Sequence, residues 1–130
     1  GLIGQIMAAK LTEVKDSYLQ KVNKEYWTRR DVLYEGLRKI PGVFLEKPEG
    51  AFYAVVELPV KDSEDFCRWL LTDFKYKNET VMLAPAAGFY ETKGMGKNEV
   101  RIAYVLNCKD LEKAIEILRR ALVEYNSCET

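Results

Sequence analysis

The feature that most narrows what this chain can fold into is a change of hydrophobic period at Pro41-Gly42. Ahead of that pair, Leu19, Val22, Tyr26, Leu33, Leu37 and Ile40 recur at steps of three, four or seven, the spacing of one helix face. Arg30 fills the gap in the stripe. The pattern predicts one long amphipathic helix over residues 16–40, with Thr12 or Asp16-Ser17 as N-cap candidates and Pro-Gly as its stop. A shorter apolar spacing at Ile3, Ile6 and Met7 predicts a brief helix before it. Behind the break the period shortens. "VFLE", "AFYAVVEL", "TVMLAP" and "EVRIAYVL" read as four strands, the first two joined by the turn "KPEG".

Two further helices complete the order. "DSEDF" offers Asp62 or Ser63 as an N-cap with acids in the first turn, and Phe66, Cys67, Trp69, Leu70 and Phe74 supply an inner face. Asn107 or Asp110 caps the last helix, whose apolar steps run through Leu111, Ile115, Leu118, Leu122 and Tyr125. The expected fold class is α+β: a long N-terminal helix and two further helices on a small mixed or antiparallel four-stranded sheet.

Composition removes several classes of function. Lys+Arg and Asp+Glu are both 20, so no basic field favours nucleic acid or an anionic membrane. No apolar run approaches the roughly 20 residues of a membrane span. Histidine is absent, which excludes His-based triads, Cys-His pairs and His-ligated zinc within this chain. Cys67, Cys108 and Cys128 form an odd, scattered set without metal spacing, which points to a reducing, cytoplasmic setting. "GMGK" at 94–97 lacks the upstream glycine and following Ser/Thr of a phosphate loop and reads as a flexible turn. Trp27, Trp69 and the tyrosines read as packing residues, Tyr53 among them as core. Arg29-Arg30 reads as a solvated or snorkelling pair, the alternatives being that it neutralises an acid across a helix or binds an anion.

One residue resists the strand pattern. Alternation in "EVRIAYVL" sets Val100, Ile102 and Tyr104 on one face and Arg101, Ala103 and Val105 on the other. A guanidinium in partly apolar surroundings needs an anion, and its planar fork of donors suits a carboxylate held by two parallel hydrogen bonds. An internal Asp or Glu, an exposed edge position and a ligand from solution all answer that need. Gly50 reads as a turn glycine with φ > 0. Gly88, Phe89 and Tyr90 read as a loop that moves when substrate binds, or as an ordinary surface connection.

"KPEGAFYAVVELP" followed by "VMLAPAAGFYETKGMGKNEVRIAYVLN" resembles the C-terminal small domain of pyridoxal-phosphate-dependent aminotransferases of the aspartate type. "YWTRRDVLYEGLRKIPGV" is similar to the helix and turn leading into it. The pair P-x-G-A-F-Y and V-R-I-A, in that order, carries the match. Ala86 departs from it, standing where the family commonly has a glycine after proline. The resemblance implies that Arg101 holds the substrate's α-carboxylate, with Gly50 and Tyr90 as further substrate-side candidates. It implies residues 1–15 as a remnant of a large-domain helix and linker, and residues 16–130 as the small domain. It also implies that the cofactor, its lysine and its phosphate loop belong to a large domain earlier in the chain, so no catalytic or cofactor-binding residue is expected here. The expected parent reaction is transamination between aspartate and 2-oxoglutarate by a homodimer, with the present chain inactive alone. The alternative is a non-catalytic ligand-binding or self-association module, with residues 1–15 as the contact.

Overall fold

The computed structural model describes residues 1–128. Four α-helices and three strands follow one another: α1 (Leu2–Ala9), α2 (Asp16–Leu37), β1 (Tyr53–Glu57), α3 (Ser63–Thr72), β2 (Ala84–Pro85), β3 (Glu99–Ala103) and α4 (Cys108–Cys128). Short 3₁₀ turns lie at Lys10–Glu13 and Ala87–Phe89. The sheet has the order β1-β3-β2, and both pairings are antiparallel.

The α+β class holds, but the sheet has three strands where four are expected. "VFLE" contributes a single bridge, with Phe44 N donating to Glu57 O at 3.0 Å and Glu57 N donating to Phe44 O at 2.8 Å. Gly42, with φ of 79°, turns the chain just ahead of it and Pro48 follows just after, which leaves too short a run for a ladder. "TVMLAP" pairs only at Ala84–Pro85. Pro85 has no N–H to give, and it sits on the edge strand, where that omission costs least. The helix predicted over 16–40 stops at Leu37, and residues 38–40 tighten into i→i+3 bonds from Lys39 N to Gly36 O and from Ile40 N to Leu37 O. The residue before a proline is pushed out of the helical region, so the stop comes before Pro41.

The caps are read correctly at two helices of three. Asp62 accepts from Glu64 N at 2.9 Å and Asp65 N at 3.4 Å. Asn107 accepts from Asp110 N at 3.1 Å. At α2 the cap position is Lys15, with no side-chain bond, while the Thr12 hydroxyl donates back to Ala9 O.

The core lies between the sheet and α2, α3 and α4. It contains Leu33, Leu37 and Ile40, Val56 and Leu58, Phe66, Leu70 and Phe74, Val100 and Tyr104, and Leu111, Leu118 and Leu122. Cys67 is buried among them, and burial pushes its thiol up to about 11. Gly36 allows α2 and α4 to close up: a Cβ there would lie 2.6 Å from Ile115 Cδ1. Only the C-terminal half of the α2 stripe is covered, since Leu19 stays exposed. Every residue of α1 is exposed, including Leu2, Ile3, Ile6 and Met7. Among the described residues no helix is long and apolar enough to cross a membrane.

Candidate functional site: the open face of the sheet

Helices cover one face of the sheet and leave the other open. The register pairs Tyr53 with Ala103, Val55 with Arg101 and Glu57 with Glu99, while Ala84 faces Arg101 from the other side. Ala54 and Val56 point into the core, so Tyr53, Val55 and Glu57 point outward beside Arg101 and Glu99. Central β3 therefore presents Arg101 in the middle of the open face, with the small Ala103 as its neighbour along the strand.

Arg101 is held by rings. Its guanidinium carbon lies 4.8 Å from the centroid of Phe89 and 5.4 Å from that of Tyr53. Among the described residues, no hydrogen bond or ion pair reaches its side chain. The acids that share its face are already engaged. Glu99 Oε2 accepts from the Tyr90 hydroxyl at 2.5 Å, and Glu57 Oε1 accepts from Asn98 Nδ2 at 2.8 Å. The same face carries a cleft of about 640 Å³ that Tyr53, Val55, Tyr90 and Lys47 line together with four glutamates, Glu46, Glu49, Glu57 and Glu99; Arg101 is not among its lining residues and faces solvent beside it. A fork of N–H donors with no internal anion, set beside open space, has the chemistry to seat a small carboxylate.

Of the other two candidates, Tyr90 shares this face and Gly50 does not. Tyr90 lies on this face but spends its hydroxyl proton on Glu99, and that bond pushes the phenol up from its usual range, with burial and the nearby charge adding to it. The Tyr90 ring also lies over Gly96, where an added Cβ would meet its Cε2 closer than any real contact. Gly96 has φ of 67° and Gly94 of 86°, so "GMGK" is a glycine-built turn, as its sequence predicts. Gly50 does not join Arg101. It lines a separate cleft with Asn23, Trp27, Arg30, Glu49 and Tyr104. Nor is it the left-handed residue of its turn: that residue is Ala51, with φ of 60°. Neighbouring contacts impose that conformation, because the Tyr104 hydroxyl lies 3.1 Å from both Gly50 O and Ala51 O.

Tyr104 is 1% exposed, and burial raises its phenol. Its single O–H is shared between two turn carbonyls, so Tyr104→Phe is expected to lower the unfolding free energy by about 1 kcal/mol. Urea denaturation measures it, and an unchanged midpoint would contradict the role.

Three readings of the sequence need correction. Tyr53 is not core; it is 41% exposed and flanks Arg101. Phe89 was not singled out from its loop, yet it makes the shorter ring contact. Arg29 and Arg30 are not merely solvated: Arg29 pairs with Glu25 one turn away on α2 at 2.9 Å, as the alternative reading has it, and both arginines also reach beyond the helix. Arg29 Nη1 donates to Val105 O at 2.5 Å, just beyond β3, and Arg30 Nη1 donates to Pro48 O at 3.3 Å, in the turn before β1. Through them α2 ties down both chain segments that flank the open face. Asp31, beside Arg30, is held below the usual carboxylate range by a hydrogen bond from Lys47 first and from Arg30 second. Among the described residues no cluster could hold a metal ion.

The family described as aminotransferase class I and II matches residues 2–118. Aspartate aminotransferase of Pyrococcus horikoshii is 30% identical over 106 residues, covering 80% of this chain and 25% of that protein. Aspartate aminotransferase of Bacillus subtilis is 31% identical over 115 residues, covering 83% of this chain and 27% of that protein. The chain thus spans about a quarter of the length of these curated relatives. Among solved structures, the α-aminoadipate aminotransferase LysN of Thermus thermophilus, complexed with N-(5'-phosphopyridoxyl)-L-leucine, superposes with a TM-score of 0.73. It covers 98% of this chain and 31% of that one at 22% identity, a likeness of fold.

Proposed function

This chain belongs to the family of class I and II aminotransferases, and from that premise we propose that it is the substrate-clamping C-terminal domain of an amino acid aminotransferase. Residues 16–130 form that domain in this reading, and residues 1–15 are the end of a large-domain helix and its linker. The observation that carries the proposal is Arg101: an exposed guanidinium on the central strand, flanked by two rings, with no acid hydrogen-bonded or ion-paired to it among the described residues.

Arg101 receives the α-carboxylate of an amino acid through two parallel N–H···O bonds. That grip fixes the orientation of the substrate's Cα–H, so a base elsewhere in the enzyme meets the proton in a set geometry. Closure of the domain expels water and strengthens the clamp. Aspartate and 2-oxoglutarate are the proposed substrate pair, supported by relatives named aspartate aminotransferase at about 30% identity. The setting is cytoplasmic and the full-length enzyme a homodimer.

The family's chemistry implies pyridoxal phosphate, which supplies an electron sink for the carbanion at Cα. The residues of this chain do not fit as its holder. Every lysine is exposed, and none lies in a pocket that would desolvate its amine for covalent attachment. The cofactor belongs, in this proposal, to the large domain.

The isolated chain is therefore expected to be inert. Mixed with pyridoxal phosphate, aspartate and 2-oxoglutarate, it should show no saturable absorbance change and no oxaloacetate. A stoichiometric band accompanied by turnover would refute the assignment. One observation favours a second reading, a self-association module: α1 exposes Leu2, Ile3, Ile6 and Met7, and none of its residues is buried. Concentration-dependent sedimentation, with Ile6→Glu as the control, separates that reading from a monomeric domain.

A further inference from the structure

We infer that Phe89 and Tyr53 are positioning residues for Arg101, and that the Tyr90–Glu99 hydrogen bond is the latch that sets Phe89 in place. The inference rests on the reading of Arg101 as the carboxylate seat, and goes beyond it by naming what holds the guanidinium ready.

An exposed arginine has many rotamers, and each carboxylate it binds must first collect one of them. Here the guanidinium is set over two ring faces, 4.8 Å from one centroid and 5.4 Å from the other. A cation in that position is attracted by the ring quadrupole, while its N–H donors, which lie in the guanidinium plane, stay free for an anion. The rings thus restrict the side chain without using its hydrogen bonds.

Phe89 owes its place to a short turn that is fastened to β3 on both sides. It ends the 3₁₀ turn Ala87–Phe89, and its N–H donates to Ala86 O at 2.9 Å. Before the turn, Ala86 N donates to the backbone oxygen of Glu99 at 2.9 Å. After it, the Tyr90 hydroxyl donates to the side chain of the same Glu99 at 2.5 Å. Glu99 stands two residues before Arg101, on the same face of the strand. The turn that carries Phe89 is thereby registered against the residue that it brackets. Gly96 completes the latch, because only a residue without Cβ leaves room for the Tyr90 ring.

The test uses the chain itself with succinate as the probe. The Arg101 Nε–Hε resonance is identified by its loss in Arg101→Lys, then followed by NMR during titration in wild type, Phe89→Leu, Phe89→Tyr and Tyr90→Phe. Wild type should give a saturable shift. Phe89→Leu should weaken binding roughly two- to fivefold, and Phe89→Tyr should restore it. Thermal midpoints should be unchanged in both, since Phe89 is 60% exposed. Tyr90→Phe should displace the free Arg101 resonance toward its position in Phe89→Leu. Equal affinity in wild type and Phe89→Leu would overturn the positioning role and leave the carboxylate seat standing. Failure of succinate to move the wild-type resonance would overturn the seat, and the positioning role with it.

Discussion

Phe66→Ala should lower the unfolding free energy by about 3–5 kcal/mol, the range for emptying a large aromatic site in a packed core. Phe66 is 0% exposed on the inner face of α3. Its ring meets Tyr125 of α4 edge-on at 5.0 Å and lies near-parallel to Trp69 at 6.1 Å. Trp69 in turn contacts both Phe74 and Tyr125 at 5.2 Å. The cavity would therefore open where α3 and α4 are joined, and neither helix could close it without losing ring contacts to the other. Domains of this size hold about 5–15 kcal/mol in total, so the variant should be near its folding threshold at ambient temperature. Leu71→Ala, on the 54% exposed side of the same helix, is the control and should cost about 0.5 kcal/mol or less. A loss under about 1 kcal/mol for Phe66→Ala, by urea denaturation, would show that α3 is not seated on α4 as described.

The second large effect concerns Arg101. Under the proposed function, Arg101→Lys in a full-length aminotransferase carrying this domain is expected to lower kcat/KM for the amino acid by about a hundredfold or more, as expected when a hydrogen-bonded charge pair with substrate is truncated. Lysine keeps the charge and loses the fork, so the carboxylate would be attracted but no longer oriented. The loss should fall on kcat as well as KM, because orientation of Cα–H matters most as the proton leaves. Stability should change little, since Arg101 is exposed and makes no hydrogen bond or ion pair among the described residues. A fall confined to KM would mean that Arg101 attracts substrate without orienting it.

Much of this architecture is legible in the sequence, and its gaps have physical causes. The helices announce themselves by period, and two caps by residue type, because those signals are local. Of the four expected strands, β1 and β3 lie where "AFYAVVEL" and "EVRIAYVL" put them, but the other two runs fall short, because pairing is decided by partners distant in the chain. "VFLE" has strand composition but is trapped between a left-handed Gly42 and Pro48. "TVMLAP" ends in a proline that only an edge strand tolerates. Arg101 is conspicuous as the charge in an alternating run, and its face can be read from that alternation. Its companions cannot, since Tyr53 reaches it only through the register Val55↔Arg101 and Phe89 only through a turn fixed by Glu99. Gly50 misleads for a related reason. The residue type suggests left-handed backbone, but Tyr104 hydrogen bonding places that conformation at Ala51.

The most direct measurement is a titration of succinate into the wild-type chain and Arg101→Ala, followed on the arginine Nε–Hε resonances. One saturable response is expected, centred on Arg101 and absent from the variant, while the responses of the ion-paired Arg119 and Arg120 stay small and equal in both proteins. The contrary result is a wild-type titration in which Arg101 moves no more than those paired arginines, or one in which the Arg101→Ala chain binds succinate equally well.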